Sequence, residues 1–484
     1  MTSPVTALNE GNKETGLKGN LTTIGIVLMV LAQAAPLTMM AGVSPLMIGL
    51  GNGIGAPLTT LVVGAALLVF SCGFVTMSGY VKSAGAFYSY ILKGMGRVVG
   101  IGSASVAIVS YAVLVIALEA YLAVIIRDTI SETFGLHLHW SLYAVALVLL
   151  VGILGYVNIE ASAKVLGFAL AAEMIIILLA DAAVVLTKGI HGLSTVPLQP
   201  SSFFSGNVGL GILFAIFGFI GFEATVVYRE EVNTPNKTIP RATYFSIVLI
   251  AVMYCISIYF TVVGVGLDKV VSISAANPEN MYLDFVNTYM GKAFHDIARL
   301  LLISSLFAAA LSTHNIVSRY AYVLGKTSVL NAKFSRVHVS HSSPYFASGV
   351  VSVVSCIVIV AAAILRIDPV GQLYTYLAAV GTLGYMVVIT LAALSVLTFF
   401  WGKALPHSRW DTKLAPCLSF IAFVGFLMLT FYNISALTGI QGFNLVNAGV
   451  IGSLIVIFMA GSLRALYMKA KKPAQFNAIL QQEI

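Results

Sequence analysis

The 484-residue chain is 59% hydrophobic and 9% charged, with 26 Lys+Arg against 18 Asp+Glu and a formal net charge of +8, and its mean hydropathy is +0.97. About a quarter of the residues of a soluble domain are charged, so this balance excludes one and describes an all-α polytopic membrane protein in a lipid bilayer. Cys72, Cys255, Cys356 and Cys417 fall singly inside apolar runs, without a C-x-x-C or a histidine partner, which indicates neither a disulfide framework nor a metal site.

In chain order, residues 1–20 are polar, carry Lys13 and Lys18, and read as a tail. The apolar run that follows from Leu21 is longer than the roughly 7–15 residues of a signal-peptide core, so it is expected to stay as a membrane span. A span needs about 20 mostly apolar residues. Twelve such transmembrane helices are predicted, at 21–48, 57–80, 98–126, 140–157, 162–187, 207–229, 243–266, 294–324, 345–366, 371–400, 412–436 and 443–467. An even number puts both termini on one side; that side carries 20 of the Lys and Arg and the opposite side 6. The positive-inside rule then makes both termini cytoplasmic, in a cell (inner or plasma) membrane. The net charge thus belongs to topology and lipid headgroups, and it gives no argument for nucleic acid.

Two spans carry interruptions. Pro36 sits mid-way along the first, where it removes a hydrogen bond and crowds the preceding turn, leaving carbonyls near Ala32 to Ala35 without partners. In the sixth, Gly218-Phe219-Ile220-Gly221 loosens the helix just before the carboxylate Glu223. Taken alone, Pro36 could mark a mere kink and the glycines mere close packing. Together, interruptions at matching places in two halves point to a transporter binding site. Because they lie five spans apart, the two halves enter the membrane from opposite sides.

Phe222-Glu223, followed by Glu230-Glu231, Asn233, Pro235, Ile239, Pro240, Arg241 and Ala242, resembles the sixth helix and following loop of the amino acid, polyamine and organocation (APC) transporter superfamily. Ser83 to Tyr90 (SAGAFYSY) is similar to that family's P-x-A-G-G-x-Y-x-Y segment, with Ser83 and Ala86 departing from it. Asn315, Ser318, Arg319 and Tyr320 look like its N...SR segment. In the first span the family's G-S-G-I is absent, and Ala34-Ala35-Pro36-Leu37-Thr38 stands in its place, closer to putrescine-importer-like branches. The resemblance implies a LeuT-type 5+5 inverted repeat with broken helices 1 and 6. The expected organisation is a cytoplasmic tail 1–20, a first repeat 21–187, a second repeat 188–400, two added helices in 401–467 and a cytoplasmic tail 468–484.

A zwitterion can be held at two such breaks without a charged side chain, because freed N–H groups face a carboxylate and freed carbonyls face an ammonium. On this reading the N–H groups at Leu37 to Met39 and Ile220 to Phe222 take the carboxylate. The carbonyls near Gln33 to Ala35 and Phe217 to Gly218 take the amine. Phe217, Phe219 and Phe222 would wall the pocket, unless they simply pack. Four carboxylates fall inside spans, where ionisable groups are expensive and read as functional. Asp181 lies within about two turns of the outer end, near water; Glu119 lies in the outer half of the third span, where Tyr111, two turns deeper, is the better substrate contact. Glu173, nine residues after Lys164, falls where the resemblance puts a lysine in some proton-coupled members. A carboxyl there, disfavoured as an anion by desolvation, is the proton-coupling candidate; otherwise it is a protonated acid bonded to a neighbouring helix. Glu223 either pairs with a substrate amine or fixes the break through backbone N–H groups. Ser312 and Thr313 could add hydroxyls near Glu173 or back-bond within their helix, and His314 could join a proton relay.

The expected function is a secondary transporter of an amino acid or related amine, working by alternating access with a proton. The alternative is a polyamine or amine carrier or exchanger, which would use a second carboxylate for the far amine. An intramembrane enzyme would need a catalytic set, and neither H-E-x-x-H nor G-x-S-x-G occurs; a channel would show a filter or charge rings. Gly51 to Gly55 lacks the Lys-Ser/Thr of a phosphate loop, and the acceptor-like Asn236-Lys237-Thr238 is expected on the cytoplasmic side. The chain shows no ATP-binding domain and implies no cofactor, so a gradient or exchange drives transport.

Overall fold

The computed structural model describes residues 22–81, 86–157, 163–227, 232, 234–338, 340–341, 343–403, 406–440 and 444–481. Outside them lie the predicted tail 1–20, Lys82, Ser83, Ala84 and Gly85, and Arg229, Glu230, Glu231 and Asn233. Among the described residues all regular structure is helical. Lipid leaves backbone polar groups no partner except their own helix, which is why long apolar runs take this form.

The first predicted span is two helices. α1 is Thr23–Ala34, and α2 starts at Pro36–Thr38, runs through a π-turn at Met39–Val43 and ends with Ser44–Gly49. There follow α3 (Ala56–Ser78), α4 (Ala86–Met95), α5 (Arg97–Phe134), α6 (Trp140–Val157) and α7 (Ala163–Lys188). The second half has α8 (Val208–Phe217), α9 (Ala224–Val227), α10 (Pro235–Val265), the short α11 (Val270–Ala276) and α12 (Met281–Met290), then α13 (Lys292–Lys326), α14 (Tyr345–Ile364) and α15 (Thr375–Phe400). α16 (Ala415–Tyr432), α17 (Leu445–Lys471) and α18 (Pro473–Gln481) complete the chain. Among the described residues, 11 helical segments are long and apolar enough to cross a membrane. The predicted run 207–229 is not one of them, because its helix stops at Phe217 after 10 residues.

Three segments exceed what the apolar runs outline. α5 continues past 126 to Phe134, where Glu132 forms a two-pronged ion pair with Arg299 of α13. The loop after α10 folds into α11 and α12, and α11 lies on the end of α2 so closely that a methyl on Gly49 would come within 2.8 Å of the Ala275 nitrogen. The predicted tail 468–484 contains α18, whose Phe476 and Ile479 pack with Tyr88, Ile101 and Met468, with Arg97 over the Phe476 ring at 5.1 Å.

The broken elements occupy the centre. α1 and α2 pack on α7, α10 and α13, while α8 packs on α3, α15 and α16. Every residue from 35 to 48 is buried. α8 is fixed where it starts: the Gly209 N–H donates to Asn433 Oδ1 at 2.9 Å, and Thr430 of α16 donates to the Gly209 carbonyl at 3.0 Å. A Cβ on Gly209 would fall 2.0 Å from the Leu429 carbonyl oxygen, whereas one on Gly425 meets nothing within 4 Å. Gly209→Ala is therefore expected to cost about 1–3 kcal/mol, the usual range for overpacking. A thermal melt in detergent should fall for it and stay at the wild-type value for Gly425→Ala.

Candidate functional site at two helix breaks

The first break follows from one proline. The residue before a proline is kept out of the α region, and Ala35 takes the left-handed conformation, φ 47° and ψ 75°. Its N–H still bonds the Leu31 carbonyl at 3.1 Å and its own carbonyl accepts from Met39 at 3.0 Å, so the chain turns without unravelling. Pro36 has no N–H to give. The next one, on Leu37, leaves the helical ladder and donates to Glu173 Oε2 of α7 at 3.2 Å. The same oxygen accepts from Ser305 Oγ of α13 at 2.9 Å, and Thr38 Oγ1 donates to Ser305 Oγ at 3.1 Å. On the other side of the break the Ala34 carbonyl accepts from Tyr254 of α10 at 3.2 Å.

The second break is a run of tight turns. Ile220 N–H bonds the Phe217 carbonyl at 3.1 Å and Phe222 N–H the Phe219 carbonyl at 3.2 Å. Gly221 has φ 112°, a conformation open in practice only to glycine. Its N–H donates to Glu223 Oε2 at 3.0 Å, which also accepts from Tyr385 of α15 at 2.9 Å; Glu223 Oε1 accepts from Tyr111 of α5 at 2.5 Å. The breaks face one another: a Cβ on Gly221 would lie 2.8 Å from Gln33 Cγ, and one on Gly218 2.7 Å from the Met39 sulfur.

Of the N–H groups expected to face a substrate carboxylate, those of Leu37, Met39, Ile220, Gly221 and Phe222 have partners within the protein. The Leu37 N–H donates a hydrogen bond to Glu173 and that of Gly221 to Glu223, while Met39, Ile220 and Phe222 close turns. Leu37, Thr38, Phe219 and Phe222 are buried, and Glu173 and Glu223 are 5% and 3% exposed. Desolvating two carboxyl groups is costly unless hydrogen bonds compensate, and each has two or three donors here. Phe222 lies in an aromatic cluster with Phe70, Phe74 and Phe87, at centroid separations of 6.0–6.3 Å. Phe219 meets the Tyr254 ring edge-on at 6.5 Å, and Phe217 is half-buried.

The remaining groups are placed elsewhere. Asp181 is buried rather than near water and accepts from Ser257 of α10 at 2.7 Å. Thr313 back-bonds to the Ala309 carbonyl at 2.7 Å, and His314 Nε2 contacts Ser348 of α14 at 2.9 Å, on a face turned to α6 and α14. The hydroxyl beside Glu173 is Ser305, two turns before Ser312, which sequence reasoning missed along with Tyr254 and Tyr385. A signal for Tyr385 existed. It follows Gly381-Thr382-Leu383-Gly384, and the two glycines let α15 close on Leu114 and Ser110 of α5, the helix that carries Tyr111.

Replacing a donor to a buried carboxyl removes a bond of about 1.5–3 kcal/mol and leaves the ring in place. Tyr111→Phe and Tyr385→Phe are each expected to slow uptake into proteoliposomes by tenfold or more. Tyr80→Phe, near the end of α3 and remote from the breaks, should transport at the wild-type rate in the same assay.

The sequence model of the family described as Amino acid permease matches residues 21–460. The chain is similar to the branched-chain amino acid permease BcaP of Bacillus subtilis, 20% identical over 71% of this chain and 73% of that protein. It is likewise similar to the low-affinity putrescine importer PlaP of Escherichia coli K12, 24% identical over 80% of this chain and 82% of that protein. A shorter match, 30% identical over 31% of this chain and 30% of its partner, is to the gamma-aminobutyric acid permease of Escherichia coli K12.

Proposed function

The chain belongs to the amino acid permease family, and on that footing we propose a proton-coupled symporter in which Glu173 carries the coupling proton. The protein is a multi-pass membrane transporter and not an enzyme; it moves amino acids or related amines as a secondary transporter. The observation that carries the finer reading is the Glu173 carboxyl accepting a hydrogen bond from Leu37, the first N–H after the break. As an anion Glu173 caps that N–H. Once protonated it accepts more weakly, and the N–H and the positive end of α2 become available to the carboxylate of an amino acid. Proton and substrate then bind together, because each removes the reason for the other to stay away.

A second reading, an amine carrier or exchanger, draws support from the two carboxyl groups, Glu173 and Glu223, at the two breaks. A diamine has no carboxylate to place at Leu37 and two ammonium groups to balance. In either case the expected setting is a cell membrane with two inverted repeats, 21–187 and 188–400, and both termini in the cytoplasm. A fluorescent reporter fused after Ile484 should then glow in cells, and an alkaline phosphatase fusion at the same place should be inactive; the opposite pair of results would reverse the topology.

The deciding experiment is uptake of a labelled amino acid and polyamine panel into proteoliposomes, with and without an inward proton gradient, for wild type and Glu173→Gln. Symport predicts that one solute accumulates only with the gradient and that Glu173→Gln abolishes accumulation while retaining exchange. Transport that ignores the gradient and needs a solute inside would instead establish exchange and leave Glu173 a structural or substrate-binding role.

A further inference from the structure

A second polar region lies away from the breaks, where α5, α6, α13 and α14 meet. Glu119 of α5 is fully buried, and neither carboxyl oxygen has a hydrogen-bond partner among the described residues. The Ser355 hydroxyl of α14 is the group that reaches it, in a contact short of good hydrogen-bond geometry. Ser352 Oγ, one turn along the same helix, is buried and unpaired as well. Ser348 follows and meets His314 Nε2 of α13 at 2.9 Å, while His314 Nδ1 is buried without a partner.

Three features make this a built seam. Ser348, Ser352 and Ser355 are spaced i, i+4 and i+7, so they line one face of α14 over about 10 Å. Serine inside a helix ordinarily bonds its own backbone one turn back, as Ser71 does to the Leu67 carbonyl at 2.8 Å and Ser110 to the Val106 carbonyl at 2.7 Å. Ser352 and Ser355 do not, so their hydroxyls serve the space between helices. The wall opposite is α6, which presents glycine there: a Cβ on Gly152 would fall 2.4 Å from Ser352 Oγ, and one on Gly155 3.1 Å from both His314 Nε2 and Ser348 Oγ. At the α6 end of the seam Ser343 donates to the Tyr156 carbonyl at 2.5 Å, and His338 and His341 stack at 4.7 Å beside the Tyr156 ring.

So many buried polar atoms without partners need water, since each unpaired group in an apolar setting costs free energy that two or three water contacts recover. We propose that Glu119, Ser355, Ser352, Ser348 and His314 form a hydrated proton-binding seam, separate from the helix breaks, with Glu119 as the terminal acceptor. A proton entering beside His338 and His341 passes along water and hydroxyls. Each oxygen accepts one proton and gives up another, and the Glu119 carboxylate ends as the acid. The groups around it are compatible with that role. α6 and α14 carry no charged residue, their titratable side chains being Tyr143, Tyr156, Tyr345 and Cys356; α13 offers only His314 between Arg299 and Arg319; α5 itself adds Tyr111 and Tyr121, its charged residues Arg97, Arg127, Asp128 and Glu132 lying about two turns or more from Glu119.

The test counts protons without substrate, so it stands apart from the symport reading. Purified protein in detergent is taken through a pH jump with a pH-indicator dye, for wild type, Glu119→Gln, Glu173→Gln and Gly155→Val. The expectation is one proton fewer per molecule for Glu119→Gln, additive with any loss from Glu173→Gln, and a slowed but complete uptake for Gly155→Val, which fills the seam. Infrared difference spectra give an independent reading: the protonated-carboxyl band lost in Glu119→Gln should shift in Ser355→Ala. A folded Glu119→Gln that binds as many protons as wild type overturns the proposal. So does a band indifferent to Ser355→Ala, and an unchanged uptake rate in Gly155→Val overturns the route.

Discussion

A helix interrupted inside a bilayer leaves N–H groups that water does not reach, and this protein answers each such vacancy with a carboxyl group of its own. Leu37 has Glu173 and Gly221 has Glu223. In hydrocarbon an unpaired N–H costs several kcal/mol and an isolated carboxylate far more, so each group makes the other tolerable. The placement of the surrounding helices follows from serving these pairs. α7 brings Glu173, α13 brings Ser305, α5 and α15 bring tyrosine hydroxyls to Glu223, and α10 brings Tyr254 to the Ala34 carbonyl.

The same arrangement joins stability to mechanism. A cap made of a titratable side chain is conditional, unlike a cap made by serine or asparagine, because protonation weakens it as an acceptor. The elements held by Glu173 are the broken helix and α13, which pack against each other. On the symport reading, a change in one proton bears on how those elements are tied together, and that ties a driving ion to moving parts. Glu223 is held more fully, by three donors on both oxygens, and fits a fixed strut better than a switch.

Much of this was legible in the residues. Apolar runs of membrane length, Pro36 near the middle of one and Gly218 to Gly221 in another are local signals, and local signals act through local physics: a proline cannot donate, and Gly221 alone tolerates its φ of 112°. Glu173 and Glu223 stood out because a carboxyl inside an apolar run is conspicuous whatever it touches. Hydroxyl groups are different. Ser305 and Tyr385 are two among many buried Ser, Thr and Tyr in these helices, and which of them turns toward a carboxyl depends on helix rotation and on the close approach of α15 to α5.

The sequence by itself determined the membrane class, most of the helical spans, the two interruptions and the carboxyl groups beside them, since each follows from composition or from the covalent limits of proline and glycine. Tertiary structure alone decided the partners. It turned Leu37 to Glu173 rather than leaving it open, buried Asp181 against Ser257, sent His314 toward Ser348, and set Ser348 and Ser352 opposite the glycines of α6. Those outcomes depend on how helices far apart in the chain rotate and approach, and no local pattern encodes a distance between two helices.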